Sequence, residues 1–177
     1  MQLTKIHKDF YFIEDVFTDE TLNFLAIQCI AQKNGKILEQ GNTIRNECGI
    51  NSWAQTMVME NLREPQQLIE EYFDKSAYGN STQLWHDESG YINGLHKDHS
   101  PNLQANVQVY LNDGNKNMGT YIIVEEILEY SVPYKKNCGY LMFNPTSNLH
   151  GTKYPVEGKR LSLYQSYRLT EQPNPIW

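Results

Sequence analysis

Cysteine is scarce in this chain, and what there is does not pair. Cys29, Cys48 and Cys138 are three, an odd number, and lie far apart. No CxxC pair occurs, which argues against a zinc knuckle, a dithiol redox motif or a disulfide framework. A reduced, intracellular protein is the expectation. Cys29, inside the apolar run from Phe24 to Ile30, reads as a small buried hydrophobe. No apolar stretch approaches the length of a bilayer span, and Met1 to Asp9 lacks the apolar core of a signal peptide. A cytoplasmic chain with no membrane partner follows as an expectation. There is no basic run, and the net charge is -6, so no nucleic-acid partner is expected. Internal repeats and low-complexity tracts are also missing.

What is present is a globular composition. Of 177 residues, 40% are apolar and 12% aromatic, with 12 tyrosines. A chain of this length makes one domain and buries roughly two-thirds of its unfolded surface. The expected organisation is a single domain over 1–177, with helical support and loops in 1–80 and a β core in 81–170.

Phe10-Tyr11-Phe12-Ile13 reads as a short strand. Thr18-Asp19-Glu20 opens a helix, with a capping hydroxyl and two acids at its positive end. Leu22, Leu25, Ile27 and Ile30 would give it an apolar stripe, fading at Asn34-Gly35. Residues 35–52 are polar and read as a loop. More helix falls within 55–75 in two pieces, the second with Pro65 in its first turn and Leu68, Ile69, Tyr72 and Phe73 on its apolar face.

From Thr82 the rhythm changes to period two. Candidate strands are 82–86, 91–96, 104–112, 119–126, 138–143 and 160–169, separated by Asn, Asp, Gly and Pro clusters. Many short strands in succession indicate a jelly roll or barrel. In 104–111, Ala105, Val107, Val109 and Leu111 share one face while Gln104, Asn106, Gln108 and Tyr110 share the other. In 160–166, Leu161 and Leu163 oppose Arg160, Ser162, Tyr164 and Ser166. Such polar faces either meet water or line a barrel that holds a polar ligand. The tail from Gln172 to Trp177, with Pro173 and Pro175, is expected to run along the surface.

His96-Lys97-Asp98 places an imidazole and a carboxylate two residues apart, able to grip one ion from one side. His150 is the natural third ligand, since the interval holds enough strands to travel round a small barrel and return. Two imidazoles and one carboxylate on one face of a metal leave the other face open, the arrangement of non-haem Fe(II) oxygenases. By itself HxD is weak: His7-Lys8-Asp9 repeats it, but precedes the first helix and lies outside the strand-rich half. His99 falls out of phase with Asp98, and His7, His86 and His99 read as structural or exposed. The segment His150-x9-Arg160-x-Ser162 strengthens the site. An Arg fork binds a carboxylate with two parallel hydrogen bonds, and Ser162 shares its strand face. The alternative is an exposed surface Arg.

With HxD, the strand end Tyr110-Leu111-Asn112 and His150-x9-Arg160-x-Ser162 taken together, the sequence resembles the 2-oxoglutarate/Fe(II)-dependent dioxygenase superfamily. The prolyl-4-hydroxylase-like branch, with its small bacterial and phage members, is most similar. The resemblance spans Gln83 to Arg168. It implies a double-stranded β-helix (jelly-roll, cupin-like) core behind N-terminal helices, with His96, Asp98 and His150 as both metal ligands and catalytic residues. It implies Arg160 as partner of the far carboxylate of 2-oxoglutarate, assisted by Ser162 and Tyr110. Trp85 stands near a position where many relatives carry a pocket tyrosine. Fe(II), 2-oxoglutarate and dioxygen, with ascorbate as an accessory reductant, are the implied cofactors and partners. A peptidyl proline, an amino acid or another small molecule is the implied substrate. Arg160 stands where collagen-type relatives carry Lys, and only Met118-Gly119 appears where many relatives have a double glycine. Asn106, Gln108, Tyr121, Trp85 and Arg45 are candidate pocket residues. A metal dioxygenase of cupin type that needs no 2-oxoglutarate, a barrel that binds metal without turnover, and a purely structural jelly roll remain as alternatives.

Overall fold

Thr18 starts the first helix as its sequence suggests: its hydroxyl accepts from the backbone N–H of Thr21 at 3.2 Å. Helix α1 (Asp19–Ala31) then buries Leu22, Leu25 and Cys29. That stripe is narrower than expected, because Ile27 and Ile30 are 62% and 48% exposed; they lie off the face set by the i, i+3, i+7 spacing of Leu22, Leu25 and Cys29. Asn51 caps α2 (Ser52–Asn61) through its side chain, which accepts from the N–H of Ala54. Helix α3 (Arg63–Phe73) carries a buried Pro65 in its first turn, where the missing N–H costs nothing. Ile69 is buried on its inner face, with Leu68 and Phe73 packed beside it. Tyr72 is half exposed, stacked on Phe143 at 4.2 Å with its hydroxyl on Asp9.

In this computed structural model, which describes residues 1–31, 36–40, 43–100 and 102–170, the described residues also form eleven strands. These are β1 (Gln2–His7), β2 (Phe10–Glu14), β3 (Lys36–Gln40), β4 (Thr43–Cys48), β5 (Ala77–Asp87), β6 (Ala105–Tyr110), β7 (Thr120–Val124), β8 (Leu128–Ser131), β9 (Cys138–Phe143), β10 (Leu149–Thr152) and β11 (Arg160–Leu169). A large sheet runs β1-β2-β9-β6-β11-β5-β4-β3, and a small one β10-β7-β8. Every pairing is antiparallel. The helix end at Asn34-Gly35 and the tail from Gln172 lie outside the described residues.

The two faces of the large sheet have different partners. Ala105, Val107, Val109, Leu161 and Leu163 pack in one cluster with Leu22, Leu25, Val58 and Ile69 of the helices. Tyr110, Tyr140 and Met142 pack in a second cluster with Ile122, Val124 and Val132, between the two sheets. The alternation in β6 and β11 therefore separates a helix-facing side from a side that looks into the barrel, and no side chain of β6 is left to bulk water. This is a double-stranded β-helix: mainly β, with helices covering the outside of the large sheet.

Three expectations are corrected. Residues 35–52 are not all loop: β3 and β4 form a hairpin, and β4 docks on β5 with Arg45 opposite Asp87 and Cys48 opposite Leu84. A polar run such as Thr43–Cys48 has little strand propensity of its own, and pairing to β5 supplies the difference. Residues 91–96 are not a strand; a single isolated bridge, His96 to His150, is the one ladder pairing they make with β10. Finally, 1–80 is not confined to helices and loops, since β1 to β4 and the start of β5 all fall within it. Of the strands beyond the expected set, β8 and β10 are four residues each, too short for a period to show.

Gly139 marks a close backbone approach in the barrel wall. A Cβ there would sit 1.8 Å from the Gln108 carbonyl oxygen, so β9 could not keep its place beside β6. Gly139→Ala is expected to cost about 2–3 kcal/mol, read as a fall in thermal midpoint of roughly 5–10 °C; an unchanged midpoint would show that this wall yields easily.

Candidate metal centre and its cavity

His96 and His150 are joined backbone to backbone, each N–H on the other's carbonyl at 3.0 and 2.9 Å. The Thr152 N–H donates to the Asn93 carbonyl while the Asn93 N–H donates to the Thr152 hydroxyl, and the Asp98 N–H reaches the Pro145 carbonyl. The segment 93–98, irregular as it is, is thus pinned along β10. Gly151 permits this, since a Cβ there would meet the Asn93 carbonyl at 2.5 Å.

The pinning brings the three sequence-predicted ligands together. Donor atoms of His96, Asp98 and His150 all lie within 4.8 Å of one another. Asp98 Oδ1 is 3.8 Å from His96 Nε2 and 3.5 Å from His150 Nε2. Each imidazole turns its other nitrogen to a backbone carbonyl: His96 Nδ1 is 2.8 Å from Gly94 O, and His150 Nδ1 is 3.4 Å from Asn148 O. A ring that donates from Nδ1 keeps its Nε2 lone pair for a metal. Burial and the neighbouring His150 lower the pKa of His96, which favours the neutral, ligating form. Asp98 Oδ2 accepts from Tyr164 Oη at 3.2 Å and from Asn106 Nδ2 at 3.3 Å, leaving Oδ1 toward the imidazoles. Burial would raise the Asp98 pKa, but His150, His96 and Tyr164 outweigh it and hold the carboxyl below its usual range. Burial and the Asp98 charge push the Tyr164 phenol well above its usual value, so it stays a donor. Two imidazoles and a carboxylate of this kind fit a divalent first-row transition metal.

The triad opens on a cavity of about 220 Å³. Cross-strand rows on β4, β5, β11 and β6 build its wall and the layer behind it. One row is Arg45, Asp87 and Arg160; the next is Glu47, Trp85, Ser162 and Tyr110; the third joins Gln83, Tyr164 and Gln108. Arg160 lines the cavity although only 2% of it is exposed. Its Nη1 donates to Asp87 Oδ2 at 2.8 Å and its Nη2 to Thr120 Oγ1 at 3.1 Å. Its buried Nε meets no protein acceptor. Arg45 grips the other side of Asp87, Nε to Oδ1 at 2.6 Å and Nη2 to Oδ2 at 2.9 Å. Its guanidinium lies over the rings of Tyr91 and Trp85 at 4.6 and 4.8 Å. Asp87 is fully buried. Burial alone would raise its pKa, but the charges and hydrogen bonds of Arg45, then of Arg160, hold it below the carboxylate range.

Trp85 lines the cavity, as do Arg45 and Gln108. Tyr110 and Ser162 stand behind the wall, both fully buried. The Tyr110 ring lies under the Arg160 guanidinium at 5.4 Å, with its hydroxyl on Thr120. Ser162 accepts from Gln108, which in turn accepts from Thr120. Asn106 meets Asp98 rather than the open space. Tyr121 is not a wall residue: it pairs across from Gly151 on the other face of β7 and binds Glu129. His99 is exposed, and His7 sits in β1 beside Glu125. Sequence reasoning missed Asp87, Thr120 and Tyr140. Asp87 was within reach, since it continues the period that puts Gln83 and Trp85 on one face of β5.

Tyr164→Phe removes a donor to the candidate metal-binding carboxylate and is expected to weaken metal affinity about tenfold, measured by competition against a coloured chelator; unchanged affinity would show that Asp98 needs no such support. Asp87 has its own signature. Its lowered pKa means its contribution to stability is full above about pH 4, the ordinary carboxyl value, and is lost as pH falls through the lowered one. Urea midpoints should therefore drop steeply below pH 4 in the parent protein and more gently in Asp87→Asn.

No family model and no curated relative matches the sequence. Solved structures do match. A prolyl-4-hydroxylase of Pseudomonas putida superposes with a TM-score of 0.71 at 14% identity, covering 92% of this chain and 93% of the other. A viral collagen prolyl hydroxylase of Paramecium bursaria Chlorella virus-1, solved with 2OG, gives 0.66 at 13%, covering 91% and 96%. A Trichoplax adhaerens prolyl hydroxylase, in complex with a peptide fragment of the hypoxia-inducible factor, gives 0.65 at 10%, covering 91% and 84%. From its barrel and these likenesses, the chain has the double-stranded β-helix fold of the prolyl-4-hydroxylases and other 2OG-Fe(II) oxygenases.

Proposed function

We propose that this protein is an Fe(II)- and 2-oxoglutarate-dependent dioxygenase that hydroxylates a C–H bond. The observation that carries the proposal is the convergence of His96, Asp98 and His150 at a cavity whose wall also holds a buried arginine, Arg160. A metal facing that cavity and a cation in its wall suit a dicarboxylate with a 2-oxo acid at one end. In this reading His96, Asp98 and His150 hold Fe(II), which supplies dioxygen chemistry coupled to conversion of 2-oxoglutarate into succinate and carbon dioxide.

The remaining work belongs to the chain's own groups. Arg160 binds the far carboxylate, with Thr120 beside it and Tyr110 and Ser162 supporting the pair from behind. Tyr164 and Asn106 fix the orientation of Asp98. Arg160 is buried, so the carboxylate meets it in a medium of low dielectric, where a charge-assisted pair is strong. Residues 81–170 carry this chemistry and 1–80 support it, with Arg45 on β4 as the exception. The substrate is a peptidyl proline or a small molecule: one similar structure is bound to a peptide, and another, an epimerase, to iron, alpha-ketoglutarate and nogalamycin RO.

The test is anaerobic titration of the Fe(II)-loaded protein with 2-oxoglutarate, watching the weak visible charge-transfer band of the chelate. The band is expected in the parent protein and absent in His150→Ala, and admission of oxygen should release succinate. Iron binding without the band would favour a metal dioxygenase that needs no 2-oxoglutarate.

A further inference from the structure

Arg160, taken with its nearest partner, is not a cation. Asp87 is fully buried and lies 2.8 Å from Arg160 Nη1, so the two make a neutral ion pair. Such a pair is a weaker host for a carboxylate than a free cation, because the buried Asp87 charge behind the wall offsets the Arg160 charge that the ligand would meet. Arg45 changes the balance. It stands directly opposite Asp87 and across β5 from Arg160, in the same row. It binds both oxygens of Asp87 and also lines the cavity. Two arginines and one aspartate leave one positive charge at this end, which matches one carboxylate. The unpartnered Nε of Arg160 shows that the row keeps donor capacity after Asp87 has been satisfied.

On the 2-oxoglutarate reading above, we propose that Arg45, from the N-terminal hairpin, is a specificity-determining residue that makes the Arg160 end of the cavity select a 2-oxo acid with an anionic tail. Asp87 is its counterpart: a positioning residue that shares itself between the two guanidiniums and limits the excess charge to one. The stacking of Arg45 on Trp85 and Tyr91 holds its charge in place. The hairpin that carries it is therefore part of the co-substrate site and not only cover for the sheet.

The experiment compares two acids that differ only at the tail, 2-oxoglutarate and 2-oxovalerate, by calorimetric binding to Mn(II)-loaded protein. The parent protein should prefer 2-oxoglutarate. Arg45→Gln should lose on the order of tenfold or more in affinity for 2-oxoglutarate, the scale of a charge-assisted contact, with 2-oxovalerate little changed. Arg45→Lys should keep most of the preference, because it keeps the charge while losing the fork. Equal losses for both acids in Arg45→Gln, or a Lys variant as poor as Gln, would reduce Arg45 to a structural role and overturn the proposal. Should Arg45→Gln fail to fold, Asp87→Asn decides: with both arginines left, its preference for 2-oxoglutarate should rise, and a fall would overturn the proposal. Parent protein that binds neither acid would sink the 2-oxoglutarate reading itself, whereas parent protein that prefers 2-oxoglutarate beside an equally selective Arg45→Gln would sink only the role given to Arg45.

Discussion

A carboxylate with no access to water must be compensated on every side, and Asp87 meets that demand by drawing three strands into one row. Arg45 on β4, Asp87 on β5 and Arg160 on β11 are in register, and their hydrogen bonds leave Asp87 no unsatisfied oxygen. Removing either arginine would strand charge in a medium that does not tolerate it. The row therefore fixes where the hairpin docks, how Arg160 points and how much positive charge one end of the cavity holds. The order of β11, β5 and β4 in the sheet and the chemistry of the cavity wall depend on the same three side chains.

At the other end of the cavity the constraint is backbone hydrogen bonding. His96 and His150 could not present two imidazoles to one point from flexible loops. They do so because 93–98 is laced to β10 at Asn93 and His96, and to the Pro145 carbonyl ahead of it at Asp98. Gly151 gives room for that lacing, and carbonyls of Gly94 and Asn148 set the ring orientations. Tyr164 and Asn106 then orient the carboxylate from the strands of the large sheet. The triad is thus built by both sheets: β10 and its satellite segment supply the candidate ligands, and β6 and β11 steady them.

The helices act at a distance. They cover the outer face of the large sheet with Leu22, Leu25, Val58 and Ile69, which frees the inner face to be polar. A strand such as β6 can carry Asn106 and Gln108 toward the cavity only because Val107 and Val109 are buried on the opposite side. Hydrophobic burial outside the barrel is what permits a polar interior. Cys29 and Cys48, both buried and free, belong to this packing layer, with their sulfurs 3.9 Å apart.

Much of this was legible in the amino-acid order. Period-two alternation in 104–111 and 160–166 marked β6 and β11 and their two faces, because each strand has an apolar side to bury. Thr18 and Pro65 announced helix starts through local hydrogen bonding and backbone restriction. HxD with His150 and Arg160 marked residues that meet at one cavity, since their chemistry is carried by residue type and spacing. Other features were decided only by the tertiary structure. The polar stretch Thr43–Cys48 becomes β4 because β5 offers it an edge, and Leu95-His96 forms no strand because β10 pairs with it at a single point. Asp87 and Arg45 are ordinary charged residues in the sequence. They become a buried pair only when sheet register sets them side by side, because the compensation of a charge is a property of its surroundings and not of its place along the chain.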